Sequence, residues 1–341
     1  MYFLYFFSAF FITAILVVVV RFLMLRFSIV DRARTEQRKI HKKTIPLGGG
    51  LAIFVSFFIL VFLLRGNFNN NIETNHLLAL FLGGLVLMIG GFLDDKYKLK
   101  AKQQIWFPIL AALIVVLFKI GPAIITNPFG GVFNMNIWQI GDYMILTNLL
   151  VFFWLMTMMF TTKLLDGLDG LVSGIVIIGA LVIFFLSLQT PWFQPDVALL
   201  AILLAGSCLG FLVWNWHPAK IFLGEGGSLF TGFMLGSLSI ISGSKIATAL
   251  LVMAVPILDI VRVIILRIKN GRPIYKGDSE HLHFRLLQSG LSQKQTVWLF
   301  YAISFLFGMT TLFLQSSQKL IALVFLFVLM MLLGIWFSKK N

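Results

Sequence analysis

Two aspartates three residues apart, each followed by glycine, stand between long apolar runs in the stretch Lys163-Leu164-Leu165-Asp166-Gly167-Leu168-Asp169-Gly170. Charge at the edge of an apolar run is costly, so an acidic pair there marks a site, against the plainer reading of a polar turn made supple by glycine. At helical spacing, residues i and i+3 share a face, and both carboxylates can converge on one metal ion or one phosphate–metal unit. A second pair, Asp94 and Asp95, closes another apolar run. Adjacent carboxylates repel, so one takes a raised pKa or a metal or lysine neutralises the pair. Such a pair suits a base that accepts a proton from a phosphate, or a metal ligand. Lys96, Lys98, Lys100 and Lys102 follow at alternate positions. They are point-charge phosphate binders or, more simply, a basic stop signal at the inner face of a membrane.

Two further polar stretches carry chemistry. Gly224-Glu225-Gly226-Gly227-Ser228 opens an apolar run. A glycine-rich turn at a helix start leaves backbone N–H groups for an anion while the acid beside it holds a cation. Gly226, Gly232 and Gly236 also fit a small-residue helix contact. His281-Leu282-His283-Phe284-Arg285 places two histidines beside an arginine, a pattern that fits a metal or a phosphate-bearing substrate and also fits a solvated loop. Asp259 and Arg262, at i and i+3, read as a structural ion pair.

The elements that must position these residues are membrane helices. The chain has 341 residues, 59% hydrophobic and 12% charged, with a mean hydropathy of +0.97. A soluble domain of this length cannot hide that much apolar surface, and apolar runs near 20 residues match the bilayer core. The reading is an all-α polytopic membrane protein, one integral membrane domain over 1–341. Eleven apolar segments are marked, at 3–25, 47–64, 77–93, 104–119, 144–161, 171–188, 197–214, 228–242, 246–266, 296–314 and 320–337. The first is read as a retained helix rather than a signal peptide, because it has no basic leader and no small-residue cleavage site. With the N-terminus outside, 23 of the 27 basic residues fall on the inner side and Arg65, Lys119, Lys245 and Lys319 stay outside. That asymmetry fits eleven transmembrane helices with a cytoplasmic C-terminus. Ten of the 13 acids gather on the same side, which points to an active site on the cytoplasmic face. The net charge of +14 is then positive-inside charge and attraction for anionic head groups or substrates, not a nucleic-acid footprint. The lone Cys208 lies in an apolar run and rules out an intrachain disulfide.

The order of motifs from His41 to Arg285 resembles the polyprenyl-phosphate N-acetylhexosamine-1-phosphate transferases: Gly48-Gly49-Gly50, then Asp94-Asp95, Asp166-Gly167-Leu168-Asp169-Gly170, Gly224-Glu225-Gly226-Gly227-Ser228 and His281-Leu282-His283. The match is closest to the GlcNAc-1-phosphate type, related to phospho-N-acetylmuramoyl-pentapeptide transferase. The resemblance implies transfer of a sugar-1-phosphate from a UDP-sugar to a polyprenyl (undecaprenyl) phosphate in the cell membrane. The products are a lipid-diphosphate sugar and UMP, and the cofactor is Mg²⁺ or Mn²⁺. The implied catalytic set is Asp94, Asp95, Asp166 and Asp169. Lys98, Lys102, Lys163, Asn215, His281, His283 and Arg285 would bind substrate, and Glu225, Asp169 and Asp166 would hold the metal. The implied partners are the two substrates and membrane lipids, with a homodimer compatible and nucleic acid excluded.

Four positions depart from the family pattern. Glu225 stands where Asp is usual, Lys163 where Asn is usual, Leu47 where Arg is common and Phe284 where a third histidine is common. Lys163 exchanges a neutral contact for a charged one, and Glu225 is one methylene longer. Rival readings are weaker. A transporter or flippase would carry charge at the membrane midplane, whereas nearly all acids here lie at one interface. A CDP-alcohol phosphatidyltransferase would continue differently after Asp169-Gly170, where this chain has Leu171-Val172-Ser173-Gly174. A non-catalytic scaffold leaves the acid cluster without a purpose.

Overall fold

A computed structural model describes residues 1–32, 43–68, 72–127, 129–135, 138–141, 143–190, 193–242, 245–269, 271, 281–314 and 316–339. Arg34, Glu36, Arg38, Lys39, Lys42, Asp142, Arg272, Lys276, Asp278, Glu280 and Lys340, all part of the charge pattern above, lie outside these residues.

The chain begins with α1 (Tyr2–Arg26), followed by β1 (Val30–Asp31) and β2 (Ile45–Pro46), which pair antiparallel. Next come α2 (Gly50–Leu63) and α3 (Thr74–Tyr97). A single turn, α4 (Ala101–Gln104), leads into α5 (Trp106–Leu117). Two small antiparallel hairpins follow, β3 (Ile124–Thr126) with β4 (Val132–Asn134), and β5 (Gln139–Ile140) with β6 (Tyr143–Met144). Then come α6 (Ile145–Leu165), α7 (Leu171–Leu188), α8 (Pro195–Asn215) and α9 (Gly224–Ile241). The chain ends with α10 (Ile246–Val252), α11 (Ala254–Lys269), α12 (Leu282–Gln288), α13 (Gln293–Thr310) and α14 (Ser316–Lys339).

Every marked apolar segment falls on helix, as it must where no water can satisfy exposed backbone groups. Among the described residues, five helices are long and apolar enough to cross a membrane: α1, α3, α6, α7 and α8. The bent pair α10–α11 makes a sixth, and α2, α5 with its preceding turn, and 317–328 of α14 are shorter apolar helices. The chain is a polytopic helical membrane protein. Two details depart from the sequence reading. The all-α expectation misses the three short strand pairs, which lie between the apolar runs except at Met144, the first residue of the run 144–161. The segment 246–266 is not one straight helix: α10 and α11 meet at 77°. Pro256 explains the break, because its ring would clash with the carbonyl four residues back, at Val252, the last residue of α10.

Helices α7, α8 and α9 are the most enclosed part of the bundle, with Ile175, Leu200, Phe211, Phe230 and Phe233 fully buried. Two glycine contacts set the end of the bundle that matters below. A Cβ on Gly91 would lie 2.0 Å from the Gly226 backbone nitrogen, and a Cβ on Gly50 would lie 2.0 Å from the Gly227 Cα. Backbones this close admit no side chain. The start of α9 is thereby clamped between the end of α3 and the start of α2. Gly232 and Gly236 continue the close packing of α9 against Met158 and Thr162 of α6.

Candidate active site

The ends of α3, α6, α8 and α11, the loop between α6 and α7 and the start of α9 surround one cavity of about 1800 Å³. Asp95, Lys102, Lys163, Asp166, Asp169, Asn215, Glu225 and His281 all line it. Asp95 and His281, 186 positions apart in sequence, thus meet at one end of the helical bundle.

The two carboxylates of the adjacent pair have different jobs. Asp94 turns to the α3–α4 connection, where its Oδ1 accepts from the Leu99 N–H at 2.9 Å and from Gln104 Nε2 at 2.7 Å. Asp95 faces the cavity, and its Oδ1 accepts from the Glu225 N–H at 3.2 Å. A helix N-terminus attracts an anion, and here a protein carboxylate takes that place at the start of α9, where the sequence reading left the N–H groups open for a ligand. Gly224 reaches this arrangement with φ of +78°, and a Cβ on it would lie 2.5 Å from the Asp95 carboxylate.

The loop between α6 and α7 is held by both sides of one residue. The Gly170 N–H donates to Asn215 Oδ1 at 2.9 Å, and the Gly170 carbonyl accepts from the Tyr301 hydroxyl. Asn215 Nδ2 in turn donates to the Ile221 carbonyl at 3.0 Å. Asn215, expected to hold substrate, therefore spends its amide on joining this loop to the α8–α9 connection. Asp169 Oδ2 lies 2.7 Å from His217 Nδ1 and accepts from the Ala219 N–H at 3.1 Å. Asp166 is exposed to the cavity yet surrounded by protein. That enclosure, with the Glu225 and Asp169 charges nearby, raises its pKa to about 7.

Lys163, in the last turn of α6, forms an ion pair with Glu225 Oε1 and donates to Gln104 Oε1 at 3.0 Å. Gln104 thus bridges Asp94 to Lys163. Lys163 and Glu225, two of the four departures noted above, are in direct contact.

Of the two histidines, His281 lines the cavity and His283 does not. His281 Nδ1 lies 2.9 Å from Asp259 Oδ2, which also accepts from the Leu282 N–H at 3.0 Å, while Asp259 Oδ1 accepts from Arg262 Nη2 at 2.8 Å. The Asp259–Arg262 pair is present as expected, but Asp259 also orients His281. His283 is 2% exposed and stacks parallel to His281 at 5.8 Å. Among the described residues its Nε2 has no hydrogen-bond partner, and a Cβ on Gly167 would lie 2.6 Å from it. Burial lowers its pKa to about 3, so the ring is neutral and packs against the loop between the two aspartates. Lys98 is exposed and caps α3 with φ of +51°. Lys98, Asp94, His283 and Arg285 are not among the cavity-lining residues.

Three contributors escape a sequence reading: Gln104, His217 and Tyr301. Only His217 carried a signal, its place two residues after Asn215, an expected substrate-binding residue. Four cations on the cavity wall, Arg21, Lys43, Lys220 and Arg267, were visible only as topology-setting charge.

The sequence matches the model of glycosyl transferase family 4 over residues 77–243. It is 31% identical to the probable undecaprenyl-phosphate N-acetylglucosaminyl 1-phosphate transferase of Bacillus subtilis, over 93% of this chain and 86% of that protein. The chain belongs to glycosyl transferase family 4. It is also 32% identical to the decaprenyl-phosphate N-acetylglucosaminephosphotransferase of Mycolicibacterium smegmatis, over 83% of this chain and 74% of that protein. A phospho-N-acetylmuramoyl-pentapeptide-transferase of Desulforamulus reducens is 31% identical, over 84% and 87% of the two chains. The family 4 segment runs from α3 to just past α9 and holds every carboxylate of the expected catalytic set; His281 and His283 lie beyond it.

The donors expected to hold a metal in this family 4 chain, Asp166, Asp169 and Glu225, share the cavity but not a common point. Among the described residues, no three His, Cys, Asp or Glu side chains are grouped to hold an ion, and Glu225 is engaged by Lys163. As arranged, these residues do not fit a free divalent ion.

Proposed function

We propose that the chain transfers a sugar-1-phosphate, GlcNAc-1-phosphate by preference, from a UDP-sugar to a polyprenyl phosphate in the cytoplasmic membrane. The single observation behind this reading is that Asp95, Asp166, Asp169 and Glu225 meet lysines in one cavity at the end of an apolar bundle. The names of the relatives from Bacillus subtilis and Mycolicibacterium smegmatis supply the lipid phosphate and the sugar. Both substrates are anionic, so the chemistry rests on positioning and charge neutralisation. An oxygen of the lipid phosphate bonds to the sugar-bearing phosphorus of the UDP-sugar. The bond from that phosphorus to the bridging oxygen breaks, and UMP leaves.

In this reading Asp95 faces the lipid phosphate, with Asp94 holding the α3–α4 turn through Gln104. Lys100 and Lys102 neutralise phosphate charge at the cavity rim. Asp166 and Asp169 flank the nucleotide diphosphate, and His281, oriented by Asp259, meets the sugar or diphosphate. The Mg²⁺ or Mn²⁺ expected from the resemblance stays part of the proposal and would supply charge neutralisation at the diphosphate. We place the cavity on the cytoplasmic face, with eleven spans and the N-terminus outside, on the strength of the basic-residue asymmetry. A transporter reading has less support, because the acids cluster at one end rather than at mid-depth. The test is direct: purified protein receives labelled UDP-GlcNAc, undecaprenyl phosphate and Mg²⁺, and lipid product and UMP are measured. Absence of both across a panel of UDP-N-acetylhexosamines overturns the reading.

A further inference from the structure

Among the described residues, Lys163 is the one basic side chain paired with the cavity carboxylate Glu225, and the pair is sheltered. The two side chains are 23% and 17% exposed, so their attraction is screened far less than that of a surface pair. The ammonium is held from several sides. It binds Glu225 Oε1, donates to Gln104 Oε1 at 3.0 Å and lies 5.9 Å from the Phe160 ring. Gln104 is itself fixed by its 2.7 Å bond to Asp94. Glu225 cannot drift away, because its backbone N–H is bound by Asp95 and the glycine clamp holds the start of α9. The pair is therefore built from four elements, α3, α4, α6 and α9, rather than being an accident of two flexible side chains.

Around it stand the other carboxylates. Asp95 and Asp166 line the same cavity, and each lies within electrostatic reach of Glu225. A group of enclosed like charges needs a counter-charge. In most phosphate-handling sites with such acids a divalent ion supplies it. Here a lysine on the protein already does, at the carboxylate that would otherwise be the ion's ligand.

We propose that Lys163 is a resident counter-cation, which occupies the cation position on Glu225 and keeps the substrate-free protein from binding a divalent ion there. It acts as a positioning residue: divalent ions have access to Glu225 only when the ammonium is displaced. The proposal concerns the free protein and stands independently of the identity of the sugar or lipid.

The experiment titrates Mn²⁺ into the purified full-length protein, without nucleotide or lipid, and reads the EPR signal of free Mn²⁺. The wild type is expected to leave Mn²⁺ free where Lys163→Met binds one ion per chain, about ten-fold tighter or more, as removal of a positive charge from an acid cluster implies. Lys163→Gln should behave like Lys163→Met, Lys163→Arg like the wild type, and Lys163→Met/Glu225→Gln should lose the gain. Equal Mn²⁺ affinity in wild type and Lys163→Met overturns the proposal, as does a gain that survives Glu225→Gln. Should the lysine variants not yield folded protein, the wild type decides alone: one tight Mn²⁺ site abolished by Glu225→Gln refutes it, and its absence supports it. The readout involves no turnover, so failure here leaves the transferase reading standing, and failure of the transferase assay leaves this result intact.

Discussion

Two sheltered lysines at opposite ends of the bundle are handled in opposite ways. Lys163, at the cavity end, sits in an ion pair with Glu225. Lys245, just past the other end of α9, donates to two neutral oxygens, Ser187 Oγ at 2.9 Å and Gln194 Oε1 at 3.3 Å. Burial, with the Lys319 charge nearby, pushes the Lys245 pKa down to about 8. The contrast teaches where this molecule keeps charge. At the cavity end, Lys163 and Glu225 balance opposite charges, and the enclosed Asp166 has its carboxyl pKa pushed up to about 7. At the far end a buried cation is held by neutral dipoles, and part of its charge is given up. The cavity end sets a cation against a carboxylate, while the far end holds one among neutral oxygens.

The comparison breaks first at Asp95. Asp95→Asn should cut UMP release by about 10²–10⁴-fold, the range for a lost acid–base group, while Lys245→Met leaves turnover within about two-fold, the small effect of a change remote from the chemistry. Comparable losses in both would erase the distinction between the ends. Asp259→Ala tests the packing side of the cavity. It strips His281, the Leu282 N–H and Arg262 of one partner, and loss of a buried pair member costs about 3 kcal/mol or more. A clear fall in Tm should accompany the weakened activity.

Asp166 sharpens the picture through pH. Its folded pKa, near 7, lies above the ordinary 3.8, so its effect is stabilising below about 3.8 and is lost as pH rises to about 7. Asp166→Asn should therefore raise Tm by a few degrees at pH 8 and leave it unchanged near pH 4. Scanning calorimetry or a dye-free melt at the two pH values checks this. Lys245 gives the smallest effect and the opposite trend. Its folded pKa lies below the ordinary 10.5, so wild-type stability rises as pH climbs from about 8 to 10.5. Lys245→Met should melt slightly higher than wild type at pH 7, and the advantage should narrow over that window.

Much of this was legible in the chain. The long apolar runs became helices because lipid leaves the backbone no other way to satisfy itself. The order of the acidic motifs pointed to their common cavity, because charge is tolerated only where apolar runs end. The break between α10 and α11 was missed, because the hydropathy of 246–266 reads straight across Pro256. The roles within motifs were not legible either. Asp94 and Asp95 are adjacent and chemically identical, and only the clamp of α9 against α3 turns one to Gln104 and the other to the cavity. Asn215 looked like a ligand-binding amide and is a tie between two loops, because its partners Gly170 and Ile221 approach it only in three dimensions.

The sequence by itself determined that this is a membrane protein built from apolar helices, with acids and lysines gathered at one end, since hydropathy and charge act residue by residue. Tertiary structure alone decided that Lys163 meets Glu225, that Gln104 bridges Asp94 to Lys163, that His217 meets Asp169 and that Asp259 aims His281. Those pairings join residues from 10 to 62 positions apart. A local pattern cannot specify them, because side-chain ion pairs depend on distance in space, and that distance is set by how the helices pack.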